Sequence, residues 1–247
     1  MVPSVLFLFY DFSCMERSLK KYVRIALVVI SFFVIAYFGI SFIFVWRSIH
    51  PDKIFFNRAP EEFGLKAENV IFWADDGVRL SGWLIGSDIS KDRVIILIHG
   101  YATEKSELLP LAAALYPEFS IFLFDQRYFG ASEGTFTTLG MKERGDLSRG
   151  IDFLTGRKGY SRIGVFGNSF GGAVALLAAA EDTRIVALAS YGAFSDIKSI
   201  GHEKYATLGI ARYPLIRTML FWIKFLIGNV EKYSPVRAMT NIRVPVL

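Results

Sequence analysis

The sequence predicts an α/β protein, a mainly parallel sheet flanked by helices, preceded by one transmembrane helix near the N-terminus. Three observations carry this. A stretch of 22 residues, Ile25 to Trp46, contains no charge. Beyond it, short apolar runs alternate with longer segments of helical periodicity, the pattern of parallel strands joined by crossover helices. One strand-to-helix junction carries Gly167-Asn168-Ser169-Phe170-Gly171.

At about 1.5 Å per residue, the uncharged stretch matches the hydrocarbon thickness of a bilayer. Tyr22 and Trp46 bracket it as interfacial aromatics, and Arg17, Lys20, Lys21 and Arg24 form a basic flank. A buried core helix rarely runs so far without a polar face. A cleavable signal peptide has a shorter apolar run ending in small residues, so a retained signal-anchor over 22–46 is expected, after a tail over 1–21. Four basic residues precede the helix and only Arg47, Lys53 and Arg58 follow it closely. That balance puts the N-terminus on the cytoplasmic side and the remainder across the membrane.

Residues 5–10 are apolar with no basic residue ahead of them, whereas Met15-Glu16-Arg17-Ser18-Leu19-Lys20-Lys21 is a usual start. Met15 is therefore the expected initiator. Asp11 stands where a lipoprotein signal needs an apolar residue, so Cys14 is not expected to be lipidated.

Charge argues against a nucleic-acid partner. The chain has 28 basic and 23 acidic residues, a net +5. Seven basic and three acidic residues lie in 1–58, which leaves 21 against 20 in the rest. No basic surface of the kind that neutralises phosphates is indicated. Cys14 is the only cysteine, which excludes disulfides within the chain and thiolate metal sites. There is no H-E-x-x-H, phosphate-loop lysine or dinucleotide-type glycine pattern, so no metal or organic cofactor is implied.

Residues 47–66 contain Pro51, Pro60 and mixed charge without periodicity, as a juxtamembrane linker would. The soluble domain is expected over 67–247. Val70–Trp73 and Val78–Ile85 flank Asp75-Asp76-Gly77 and predict a hairpin. Val94–Ile98, Ile121–Phe124, Ile163–Phe166 and Ile185–Ala189 are apolar almost throughout, as strands buried on both faces are. Helices are expected between them over Glu107–Tyr116, Met141–Leu154 and Phe170–Ala180.

The junction at Ser169 has the strand, turn and helix that a G-x-S-x-G nucleophile elbow requires. Glycines two before and two after remove the side chains that would collide at so sharp a bend. The bend would hold the Ser169 hydroxyl above the sheet, at the amino end of a helix, where developing negative charge is favoured. His99-Gly100-Tyr101 ends the strand over Val94–Ile98, and the loop there supplies one backbone N–H of an oxyanion hole. The Tyr101 and Phe170 amides are the expected pair, each contributing about 3 kcal/mol to an acyl-transfer transition state. His99 itself is expected to fix the loop rather than act as base.

These residues bring a family into view. From about Glu62 onward the chain resembles the α/β-hydrolase superfamily, in particular membrane-anchored serine hydrolases with a serine-aminopeptidase-like or monoglyceride-lipase-like core. The matching residues are Asp76-Gly77, Leu80-Ser81-Gly82-Trp83, His99-Gly100, the loop Asp125-Gln126-Arg127-Tyr128-Phe129-Gly130-Ala131-Ser132-Glu133-Gly134, and the elbow. The family more often has glycine at the place of Tyr128. The resemblance implies that Asp125 and Arg127 brace the loop beside the site; a solvated ion pair is the other reading.

In this fold the catalytic acid and then the histidine follow the serine along the chain. Of the three histidines, His50 is juxtamembrane, His99 precedes the elbow and His202 lies just beyond the fourth apolar run. Asp196 with His202 would satisfy the order, but on one short segment. Ile242–Leu247 reads as the start of the acid-bearing strand, so the fold is expected to be C-terminally incomplete and the sequence a fragment.

Residues 195–241 resemble the cap that relatives place over the substrate pocket. Within them, Tyr213–Ile227 is rich in Leu, Ile, Phe and Trp, with Arg217 and Lys224 seven apart on one helical face. Packing on the core is expected; an interfacial helix admitting lipidic substrates is the alternative. The function expected is a membrane-anchored serine hydrolase acting on carboxylic esters, thioesters or small amides through an acyl-enzyme on Ser169. Its partners would be the bilayer and a small, possibly lipidic, acyl substrate. A non-catalytic binding or scaffold protein, or a serine peptidase, is the alternative.

Overall fold

The structure, a computed structural model, describes residues 12–247, with side chains from Arg17 onward. The expectations for Met15 and Cys14 lie outside the described side chains. The chain divides between Phe44 and Val45 into two compact units. The first holds most of helix α1 (Phe12–Ile49). Its segment Arg17–Ile49, 33 residues with an 18-residue stretch of mean hydropathy 2.6, is long and apolar enough to cross a membrane. Ile25, Val28, Phe32 and Ile35 are all at least half exposed, unlike the side chains of a core helix.

The second unit begins with the last turn of α1 and is built on a six-stranded sheet. Strands β1 (Glu68–Trp73) and β2 (Arg79–Ile85) form the expected antiparallel hairpin. The turn between them is closed by Ala74 N–H donating to the Val78 carbonyl at 2.9 Å. Strands β3 (Arg93–Ile98), β4 (Ser120–Phe124), β5 (Arg162–Asn168) and β6 (Ile185–Tyr191) complete the order β1-β2-β4-β3-β5-β6. β3 lies parallel to both β4 and β5, and β5 parallel to β6, so the parallel part is the one expected from the alternating pattern.

The period of two sorts side chains between the faces. Ile96, Ile98, Phe122 and Phe124 belong to the core shared with helices α3 (Glu143–Lys158) and α4 (Phe170–Ala179). Leu97, Ile121 and Leu123 point the other way, against α2 (Leu109–Leu115). α2 is shorter than its apolar spacing predicts. Lys105–Leu108 form a 3-10 turn first, and Pro110 sits in the first turn of the helix proper, where no backbone donor is needed.

β4 is buried throughout, whereas Val186 on β6 is 44% exposed. The difference follows from position, because β6 closes the strand order. Its outer edge meets the segment expected to be a strand over Ile242–Leu247. Leu188 N–H donates to the Pro245 carbonyl at 3.0 Å and Ser190 N–H to Leu247 at 2.9 Å, a parallel bridge centred on Val246.

Over the carboxyl ends of the strands lie α5 (Ile197–Lys204) and α6 (Arg212–Leu226). α6 buries Leu215, Ile216, Met219 and Ile223, one stripe at helical spacing, and leaves Tyr213, Phe221 and Phe225 exposed. One face packs, as expected; the other is bare.

Candidate active site

Ser169 ends β5 and starts α4 with φ 51° and ψ −112°. A non-glycine residue in that region is a strained position, held only because its surroundings over-determine it. Here the Ser169 N–H donates to the Tyr191 carbonyl at 2.7 Å, and its carbonyl accepts from Ala173 N–H at 3.2 Å. The flanking glycines are required by packing: a Cβ on Gly167 would land on the backbone of Gly171 and Gly172, and one on Gly171 on the Ile98 and His99 carbonyls. The second of these close approaches seats α4 against the exit of β3.

The Ser169 side chain is exposed and lines a cavity of about 290 Å³. Phe170, Phe194, Ile200 and Met219 make its walls largely apolar, and Ser48 and Tyr101 close another side. The Tyr101 hydroxyl donates to the Ser48 carbonyl at 2.7 Å, and its ring meets Phe170 edge-on at 6.1 Å. Burial pushes the Tyr101 phenol well above its ordinary range, so it stays a donor. No backbone acceptor is described for the N–H of Tyr101 or Phe170.

His99 is fully buried. Its Nδ1–H donates to the Gly100 carbonyl at 2.8 Å, and Nε2 accepts from the Gln126 N–H at 3.0 Å. Both ring nitrogens are thus committed to backbone, and burial pushes the imidazole below its usual range. A neutral ring in this tautomer ties the loop after β3 to the loop after β4.

Glu107 is a residue that sequence reasoning took for the start of a helix. Its Oε2 accepts from the Gly100 N–H at 2.8 Å and the Thr103 hydroxyl at 2.5 Å, while Oε1 accepts from Asn168 Nδ2 at 2.7 Å. One carboxylate therefore joins the loop carrying Tyr101 to the residue immediately before Ser169. Nothing in the local pattern signals this, because Glu107 and Asn168 are 61 positions apart.

Asp125 and Arg127 do not pair with each other. Asp125, fully buried, accepts from Lys105 N–H at 2.8 Å, Lys105 Nζ at 2.5 Å and Ala131 N–H at 2.9 Å. Arg127 forks onto Asp146 through Nε at 2.6 Å and Nη2 at 2.5 Å, and onto Asp76 at 2.9 and 3.2 Å. Hydrogen bonding to Arg127 holds the Asp76 carboxyl well below the usual carboxylate range, whereas burial pushes Asp146 up to about 6. Both loop residues are buried in the fold, which removes the solvated-pair reading. Tyr128 between them has φ 75°, a value that explains glycine in relatives. Its hydroxyl donates to the Pro51 carbonyl at 3.0 Å, and Lys53 lies 4.5 Å over its ring.

Neither His50 nor His202 lines the Ser169 cavity. His50 stacks on Trp46 at 4.0 Å between ring centroids. Asp196 caps α5, its carboxylate accepting from the Ser199 N–H and hydroxyl at 2.8 Å each. His202 packs against Tyr213 at 5.0 Å. Among the described residues, no hydrogen bond joins any of the three histidines to Ser169.

Comparison with known proteins agrees with the fold. The family model described as alpha/beta hydrolase fold matches residues 93–209, from β3 to just beyond α5. The esterase Pf2001 of Pyrococcus furiosus superposes with a TM-score of 0.64 at 25% identity, over 79% of this chain and 75% of that one. The chain has the alpha/beta hydrolase fold. Curated relatives of this chain include the uncharacterized protein YfhR of Escherichia coli K12, 37% identical over 132 residues, which are 50% of this chain and 44% of that one. Protein bem46 of Schizosaccharomyces pombe is 30% identical over 148 residues, 57% of this chain and 49% of that one. The chain spans about half the length of the curated relatives it matches.

Proposed function

We propose that the whole protein is a membrane-anchored serine hydrolase that cleaves carboxylic esters, thioesters or small amides through an acyl-enzyme on Ser169. The observation that carries this is a strained, exposed Ser169 opening on an apolar cavity. Its Oγ attacks the acyl carbonyl, and the Tyr101 and Phe170 amides receive the negative charge that develops on oxygen. The serine proton passes to a base and on to the leaving group, and water then hydrolyses the acyl-enzyme. α1 supplies the anchor, and the bare face of α6 suits an interface with lipid. An ester is favoured over an amide by the likeness to the Pyrococcus furiosus esterase.

A fluorophosphonate probe tests the reading on the membrane-embedded whole protein. Labelling that disappears in Ser169→Ala, together with a loss of ester turnover of at least about 10³-fold, is the expected result. Unlabelled wild-type protein would turn the assignment toward a non-catalytic binding role.

A further inference from the structure

A second cavity, about 550 Å³, lies between α5 and α6. It shares Ile216 and Leu220 with the cavity at Ser169 but not the serine itself. Four nitrogen-bearing side chains line it from two helices: Lys198 and His202, one turn apart on α5, and Arg217 and Lys224, two turns apart on α6. Glu231 is the one carboxylate in the lining.

Several cations elsewhere in this unit lie against carboxylates: Lys105 on Asp125, Arg127 on Asp76 and Asp146, Arg144 on Glu181, Lys158 on Glu68, Arg184 on Asp182 and Asp152. Lys198, Arg217 and Lys224 form no ion pair among the described residues. His202 Nδ1 is shut off from solvent and has no hydrogen-bond partner. A buried ring nitrogen left unsatisfied is costly unless something else meets it. Three like charges around one groove likewise repel unless an anion sits among them.

We propose that this groove binds a phosphate monoester group. Three cations against one carboxylate leave an excess of two positive charges, which matches a dianion better than a carboxylate. The Arg217 guanidinium offers a planar fork suited to two phosphate oxygens, and the lysines supply point charges. Leu220, Phe221 and Tyr213 form an apolar border for the ester's organic part. That part is either the glycerol backbone of a lipid such as phosphatidic acid or a small soluble phosphate ester. Because Ile216 and Leu220 wall both cavities, an occupant of the groove fixes the position of α6 over the Ser169 pocket. The binding itself does not depend on Ser169 being a nucleophile.

The test uses the whole protein in phosphatidylcholine nanodiscs. One arm titrates glycerol 3-phosphate and follows binding by ³¹P NMR and by thermal stabilisation. The other compares nanodiscs with and without phosphatidic acid. Arg217→Gln and Lys224→Gln are expected to weaken binding at least tenfold in whichever arm binds, while Ser169→Ala binds as wild type. Both substitutions are at exposed positions, and retained melting cooperativity checks the fold. Binding in the soluble arm identifies a free phosphate ester, and binding in the lipid arm alone identifies a membrane lipid. Absence of saturable binding in both arms, or binding unchanged by both substitutions, overturns the proposal.

Discussion

Arg127 and Arg217 are the same side chain put to opposite uses. Arg127 is 5% exposed and grips two carboxylates, Asp146 and Asp76, each through two hydrogen bonds. Arg217 is exposed on α6, in a groove with two lysines, and forms no ion pair among the described residues. The loops below the sheet's carboxyl edge are closed networks in which each charge is already answered. The groove between α5 and α6 carries Lys198, Arg217 and Lys224 open. Rigid support belongs under the serine, whereas an unanswered charge is of use only where something else can arrive.

Arg127→Ala should break this contrast most severely. It strands Asp146, 1% exposed, and removing one partner of a buried pair destabilises by about 3–5 kcal/mol. Asp146 already sits near 6 because of burial; without the guanidinium its charged form is less favoured still. Protonation relieves the stranded charge, so the charge-dependent part of the deficit should grow as pH rises above about 6 and be absent below it. Chemical denaturation at several pH values measures this, and a deficit independent of pH would contradict it.

Glu107→Gln should leave stability less affected and reach the chemistry instead. The amide puts a donor where Asn168 or Gly100 and Thr103 already donate. Glu107 acts through the loop and the elbow and is a positioning residue, so about a tenfold fall in kcat with little change in KM is expected, since hydrogen bonds to a charged group contribute about 1.5–3 kcal/mol. Equal losses in fluorophosphonate labelling rate and in melting temperature would show a role in folding alone.

Much of this was legible in the sequence, and the exceptions have a common cause. The elbow could be read because its strand, its serine, its two glycines and its helix lie within a few residues. The alternation of apolar runs gave β3 to β6 for the same reason. Glu107, Asp146 and the partners of Asp125 could not be read, because each acts on residues brought near only by the fold. The groove was half legible: Arg217 and Lys224 show their common face by spacing, but Lys198 and His202 come from another helix. Tyr128 was legible as a departure from relatives, and its φ of 75° supplies the reason. Tyr128→Ala keeps the left-handed strain and loses the Pro51 and Lys53 contacts, whereas Tyr128→Gly loses the contacts and the strain together. The glycine variant should therefore be the more stable of the two by about 1 kcal/mol. Melting curves of the pair decide this, and the reverse order would place Tyr128 outside the left-handed region.

The smallest effect is the most diagnostic, because its sign is opposite to that at Arg127. Lys224→Gln removes an exposed charge with no described carboxylate partner, and surface changes of this kind usually stay within about 0.5 kcal/mol. Within that range the direction is set by repulsion from Arg217 and Lys198, so neutralising Lys224 should raise stability slightly at low salt. Added salt screens the same repulsion over about 10 Å at 0.1 M, and the gain should vanish there. A phosphate monoester should do more: it stabilises wild type and not the variant, turning a slight advantage of Lys224→Gln into a deficit. Melting temperatures of both proteins under the three conditions read the sign directly. A variant destabilised under all three would mean that Lys224 belongs to a closed network like that of Arg127, and that the groove's charges are already answered.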